Sequence, residues 1–223
     1  MLFLESNFHY FRKLPSNEKK FFLYRLMVFK SIKRFSGHND MVVTKEMKQL
    51  VAASAIQLTF GLDDYMMIWY RDIKLHPEGY PFRLLNEWAR FQGHSDPRNG
   101  VVVFSWKHFQ DGYLNPDDAR NLGLHEMAHA LHHHEAEFDS NPHYSQQYEQ
   151  WLYHAIAEYE RIKNGEERFL RDYAATNMDE MLAVCIECFF ETPQKFKEAN
   201  PELYEQTCLL LRQDPLAMQA RLA

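Results

Sequence analysis

The chain has 223 residues, 46% hydrophobic and 15% aromatic with only 8 glycines, a composition that supports a substantial buried core and excludes a low-complexity or disordered polypeptide. Its formal charge of −6 is uneven: residues 1–50 carry ten Lys or Arg against four Asp or Glu and the remainder 15 against 27, an acidic body that argues against general nucleic-acid binding and suits a basic protein partner or a divalent metal. No run of about 18 apolar residues occurs, Glu5 breaks the opening too early for a signal peptide, and Cys185, Cys188 and Cys208 cannot all pair, so the expectation is a soluble, cytoplasmic chain in a reducing compartment.

Residues 17–35 follow Pro15 and Ser16, and Phe22, Leu26, Phe29 and Ile32 recur at helical spacing with lysines between them. That pattern predicts a helix with a core-facing stripe; lying on a membrane surface is the rarer use of it. Thr44 reads as the N-cap of a second helix, with Val51, Ala55 and Leu58 inside, ending near Gly61. From Tyr65 the period changes. Met66–Tyr70 and Ile73–Leu75 are short β-prone runs, and Gly100–Trp106 is the strongest strand in the chain. Residues 76–100 are rich in Pro and Gly and read as loop, with 83–91 open between a strand and a short helix. Asn115 and Pro116 then predict an N-cap and first residue for a helix running to about Glu137. A loop over 139–147 and helices over 148–163, 178–191 and 201–211 complete the expectation. No repeat or linker divides the chain, which predicts one domain over 1–223: a helical part (1–62), a small sheet and loops (63–114), and metal-binding helices (115–215).

The last of these parts holds His125-Glu126-Met-Ala-His129. At about 3.6 residues per turn, His125 and His129 leave one helix face a turn apart, so two imidazoles can grip one ion, and Glu126 lies about 100° round. This HExxH spacing is the zinc metallopeptidase signature, in which the two His bind Zn²⁺ and the Glu is the general base. Leu122, Leu124, Met127, Ala128 and Leu131 are available to hold the helix against a core. A catalytic zinc takes three protein ligands and keeps a fourth position open. His132 stays on the ligand face but lies about 10 Å from His125 on a straight helix, too far to share the ion. Glu137, Glu149, Glu158, Glu160, Glu166, Glu180 and Glu187 are all candidates by spacing alone, and Glu180 has the best setting. Thr176-Asn-Met-Asp179 reads as a variant capping box that leaves Glu180 free, at the head of a stripe continued by Glu187 and Glu191. The same stripe also describes an exposed acidic face.

Two separated stretches carry a family resemblance. Val103-Phe-Ser-Trp106 with Asn121-Leu-Gly-Leu-His-Glu-Met-Ala-His129, and the run from Tyr173 through Glu180 to Glu191 followed by Pro193, Pro201-Glu-Leu-Tyr204 and Arg212-Gln-Asp-Pro215, resemble the Mlc titration factor A family over most of residues 40–215. The resemblance implies a predominantly helical α+β fold: a zincin-like core similar to that of anthrax lethal factor, with a small sheet beside the HExxH helix. It also implies one Zn²⁺ per chain on His125, His129 and Glu180, Glu126 as base, and Tyr173 as the hydroxyl that stabilises the oxyanion. Peptide or protein is the implied substrate, aminopeptidase action being one form the cleavage can take. The family's name comes from binding and sequestering a transcriptional repressor, so the rival expectation is a regulator with weak or latent peptidase activity. One departure stands out: members usually carry Asp three residues after the second His, where this chain has His132-His133-His134-Glu135. The Cys185/Cys188 pair lies inside a predicted helix and reads as two small buried residues.

Overall fold

The computed structural model describes residues 2–84, 87–166 and 169–220. Three helices open the chain: α1 (Leu2–Asn7), α2 (His9–Arg12) and α3 (Ser16–Ile32). Phe22, Leu26 and Phe29 of α3 are buried as their spacing predicts, whereas Ile32 is partly exposed at the helix end. The helix stops before the predicted Phe35 because Arg34–Gly37 is drawn off as strand β1, in parallel register with a strand that begins at Asp72. Arg34 also pairs through its guanidinium with the Asp72 carboxylate at 2.6 Å. Then comes α4 (Lys45–Thr59), capped as expected by Thr44, whose hydroxyl accepts from Met47 N. Its closing two turns from Val51 are wholly buried.

Met66–Tyr70 is a turn, not the expected strand. Met67 takes a left-handed φ of 43°, and the Lys33 ammonium donates to the carbonyls of Met66 and Met67 at 2.6 and 2.7 Å. The run is apolar because Met67 and Tyr70 plug the core, not because it pairs. Burial pulls Lys33 from an ordinary pKa of 10.5 down to about 7. The unfolded chain therefore binds more protons than the folded one between those values, and stability is expected to rise with pH across that window. Denaturant midpoints measured from pH 7 upward should show this slope, and Lys33→Met should flatten it.

The strands follow as β2 (Asp72–His76), β3 (Tyr80–Leu84), β4 (Glu87–Phe91), β5 (Gly93–Asp96) and β6 (Val101–Ser105). One sheet has the order β1-β2-β6-β5, parallel except for β5, which runs antiparallel to β6 at the edge. β6, the strongest strand signal in the sequence, is central and buried along its whole length. β3 and β4 pair antiparallel as a separate two-stranded sheet, so 83–84 and 87–91 are strand rather than helix, while 85–86 lie outside the described residues.

Trp106–Leu114 is a helix (α5) that the pattern did not single out, and Asn115 closes it instead of opening the next. The motif helix, α6 (Leu122–Phe138), begins six residues later than expected, capped by Asn121 instead of Asn115. The residues between them cannot continue a helix: Ala119 has φ 56°, and the amides of Arg120 and Asn121 are taken by glutamates from elsewhere in the chain. α7 (Pro142–Lys163) also starts earlier than predicted, since Pro142 supplies its first residue after the left-handed Asp139 ends α6. A 3₁₀ turn (Asp172–Ala175) precedes α8 (Met178–Glu191), α9 (Pro193–Ala199), α10 (Pro201–Leu211) and α11 (Pro215–Ala220). The chain is thus mostly helical with a small sheet, an α+β arrangement. One apolar cluster runs from Leu4 to Leu211, and α6 sits within it against α4, α8, β5 and β6. Among the described residues no helix is long and apolar enough to cross a membrane.

Candidate active site

The site begins with what holds α6. Its apolar residues Leu124, Met127, Ala128 and Leu131 are buried, which fixes the helix rotation and turns His125 and His129 toward a cleft of about 850 Å³. α8 crosses α6 and brings Glu180 to the same place from its first turn. The cap of α8 is Asn177, whose side chain accepts from Glu180 N at 2.9 Å, so the expected Thr176–Asp179 capping box is replaced by a one-residue shift. Asp179 points instead at His133 and His132, at 3.4 and 3.7 Å.

His125 Nε2 and His129 Nε2 lie 3.2 Å apart, and Glu180 Oε2 is 3.0 Å from the first and 3.5 Å from the second. Donors about 2.0–2.2 Å from a tetrahedral ion are separated by about 3.3–3.5 Å, so this triangle has the size that a small metal ion requires. Glu180 Oε2 is buried with no aligned hydrogen-bond donor despite these short distances, as fits atoms aimed at a common point. Burial works against its charge, but His125 and His129 outweigh that and hold the carboxyl well below the usual range. Burial likewise disfavours a charged His125, yet Glu180 and Glu187 together raise it to about 10. Among the described residues this is the one group of three or more His, Cys, Asp or Glu side chains so arranged.

Glu126 is buried beside the two imidazoles, and one of its carboxylate oxygens has no partner. Burial lifts its pKa to about 6, against the pull of His125 and His129. The edge strand closes over it: a β-carbon on Gly93 would lie 2.6 Å from Glu126 Oε1. Tyr173, in the 3₁₀ turn before α8, stands half-exposed at the cleft, its ring centroid 6.0 Å from that of His125. Burial and then the Glu180 carboxylate push its phenol up to about 12.

Behind His125 is a set of partners that spacing did not reveal. Glu187 lies 2.6 Å from His125 Nδ1, and Arg171 donates to both oxygens of Glu187 at 2.7 and 3.1 Å. Asn121 N donates to Glu187 at 2.8 Å, and the Asn121 amide donates to Glu191 at 2.9 Å. The carboxylate stripe on α8 therefore faces inward. Its signal in the sequence was a glutamate two turns after Glu180 in an otherwise apolar helix; nothing local marked Arg171. Glu135 anchors the α6–α7 turn by accepting from Ser140 and from Asn141. His134 is buried with both ring nitrogens unpartnered. Cys185 and Cys188 are buried free thiols inside α8, as expected.

Residues 2–212 match the family described as glucose-regulated metallo-peptidase M90. The chain belongs to this family. Relatives of the chain include Mlc titration factor A of Serratia proteamaculans, 28% identical over 200 residues covering 82% of this chain and 75% of the relative. Mlc titration factor A of Yersinia pestis is 26% identical over 207 residues, 85% of this chain and 75% of the relative. An uncharacterized protein of Synechocystis sp. is 24% identical over 211 residues, 88% of this chain and 77% of its own length. Membership makes this chain one of the M90 metallo-peptidases, and the His125, His129 and Glu180 cluster is the place where its residues could hold the metal.

Proposed function

We propose that the chain is a zinc-dependent peptidase with a zincin-like core, in which His125, His129 and Glu180 hold one Zn²⁺, Glu126 is the general base and Tyr173 steadies the developing oxyanion. The observation that carries this reading is the convergence of two imidazole nitrogens and one carboxylate oxygen within 4.8 Å of one another. Two nitrogens and an oxygen suit zinc, which in catalytic sites leaves a fourth position open. When bound, the ion supplies a Lewis acid that polarises a peptide carbonyl and acidifies water.

The chain's own groups do the rest. Glu126 takes the proton of the attacking water and returns it to the leaving amine; a pKa near 6 leaves it ionised at neutral pH yet able to release that proton. Tyr173 stays protonated at neutral pH, as a donor must, and offers its O–H to the carbonyl oxygen as negative charge gathers there. The water oxygen ends on the carbonyl carbon, the C–N bond breaks and the amine departs. Metal analysis of the purified chain and a peptide-library digest, before and after chelation, test the proposal. About one zinc per chain is expected, with cleavage lost on stripping and restored by Zn²⁺. Cleavage that survives complete stripping would overturn it. The same digest shows whether cutting starts at a free N-terminus, as an aminopeptidase requires.

The name shared by several relatives, Mlc titration factor A, favours a second reading: binding of a transcriptional repressor by this chain. Sequestration needs no general base. A repressor captured equally by wild type and Glu126→Gln, with no peptide cut by either, would replace the peptidase reading.

A further inference from the structure

We propose that Glu187, gripped by Arg171, is the positioning residue for His125: it holds the imidazole with its proton on Nδ1 and its Nε2 lone pair toward the metal position. This rests on the zinc-site reading above. All the acceptor positions that Glu187 needs are filled. Oε1 faces His125 Nδ1 at 2.6 Å and accepts from Arg171 Nη2 at 2.7 Å; Oε2 accepts from Asn121 N at 2.8 Å and Arg171 Nη1 at 3.1 Å. A carboxylate only accepts, so the Nδ1 facing it is the donor, and in the neutral ring the free lone pair then belongs to Nε2. That nitrogen is the one 3.2 Å from His129 Nε2 and 3.0 Å from Glu180 Oε2.

The geometry makes one helix hold one imidazole from both sides. Glu180 and Glu187 are seven residues apart on α8, about two turns, and so share a face. The first meets Nε2 of His125 and the second meets Nδ1. α8 therefore sets the separation of His125 and Glu180, which come from distant parts of the chain. Arg171 steadies the arrangement further by donating to the carbonyl of Ala119 at 2.6 Å, in the left-handed turn before α6. A glutamate at this depth, 2% exposed in its side chain, is costly unless so paired, and its burial beside His125 rather than at the surface is what a positioning role requires.

The test is Zn²⁺ affinity measured by competition with a chelator, with the thermal melt of each metal-free variant taken in parallel. Glu187→Gln is expected to bind Zn²⁺ about 10–100-fold more weakly, as other carboxylates behind metal-binding histidines do. Arg171→Gln, which frees Glu187 without removing it, gives a smaller loss and serves if Glu187→Gln fails to fold. Glu191→Gln is the control: Glu191 accepts from Arg120 N and the Asn121 side chain at the same helix end without touching His125, so its melt changes and its Zn²⁺ affinity does not. Unchanged affinity in folded Glu187→Gln and Arg171→Gln overturns the proposal. So does an equal loss in Glu191→Gln, which would assign the effect to the helix end. A wild type that binds no Zn²⁺ sinks the site reading itself, whereas the variant outcomes with a zinc-binding wild type bear on Glu187 alone.

Discussion

Glu126→Gln is expected to lower peptide cleavage about 10²–10⁴-fold while the bound metal stays in place. Glutamine has nearly the shape of the carboxyl it replaces and cannot accept a proton at neutral pH. The site leaves no substitute base at that position. Glu126 is buried, one of its oxygens has no partner, and the neighbouring carboxylates are engaged: Glu180 beside the two imidazoles and Glu187 with Arg171 and His125. Metal content and kcat/KM measured on the same preparation check the prediction. Turnover at the wild-type rate with zinc retained would rule Glu126 out as the base.

A methyl group on the edge strand should be nearly as damaging. In Gly93→Ala the new carbon would meet Glu126 Oε1 at 2.6 Å, Cγ at 2.8 Å and Cδ at 2.9 Å, well inside contact distance. Nothing in the backbone at Gly93 excludes alanine, since its φ is not in the left-handed region. The obstacle is the Glu126 side chain itself. Either Glu126 swings away or β5 withdraws from α6. A displacement on the order of 1 Å is expected to cost about 10²-fold in kcat. Zinc content should be preserved, because the three atoms nearest that methyl position all belong to Glu126 and none to His125, His129 or Glu180. Full kcat in Gly93→Ala would show that Glu126 has room to spare and that its tight packing is irrelevant to turnover.

Much of this site can be read in the residues before any fold is known, because a helix converts spacing into direction. Two histidines four apart must share a face. Leu124, Met127, Ala128 and Leu131 must bury the other side, as they do. Thr44 as a cap, β6 as a central strand and the helix over 178–191 follow from equally local rules. The failures came where a local signal was overruled from a distance. Asn115-Pro116 looks like a helix start, but carboxylates on α8 capture the amides of Arg120 and Asn121 and delay α6 to Leu122. Met66–Tyr70 looks like a strand, but Lys33 claims two of its carbonyls.

The sequence by itself therefore determined the reaction class it suggests, the pair of imidazoles and the adjacent carboxyl, since these depend on helical periodicity alone. It narrowed the later acidic residues to a favoured Glu180 without excluding an outward-facing stripe. Only the tertiary structure decided that this stripe turns inward, that Glu187 lies behind His125 and that Gly93 presses on Glu126. Such contacts join residues 33 to 66 positions apart, and their distances depend on how α6, α8 and β5 pack as rigid bodies, which no local rule specifies.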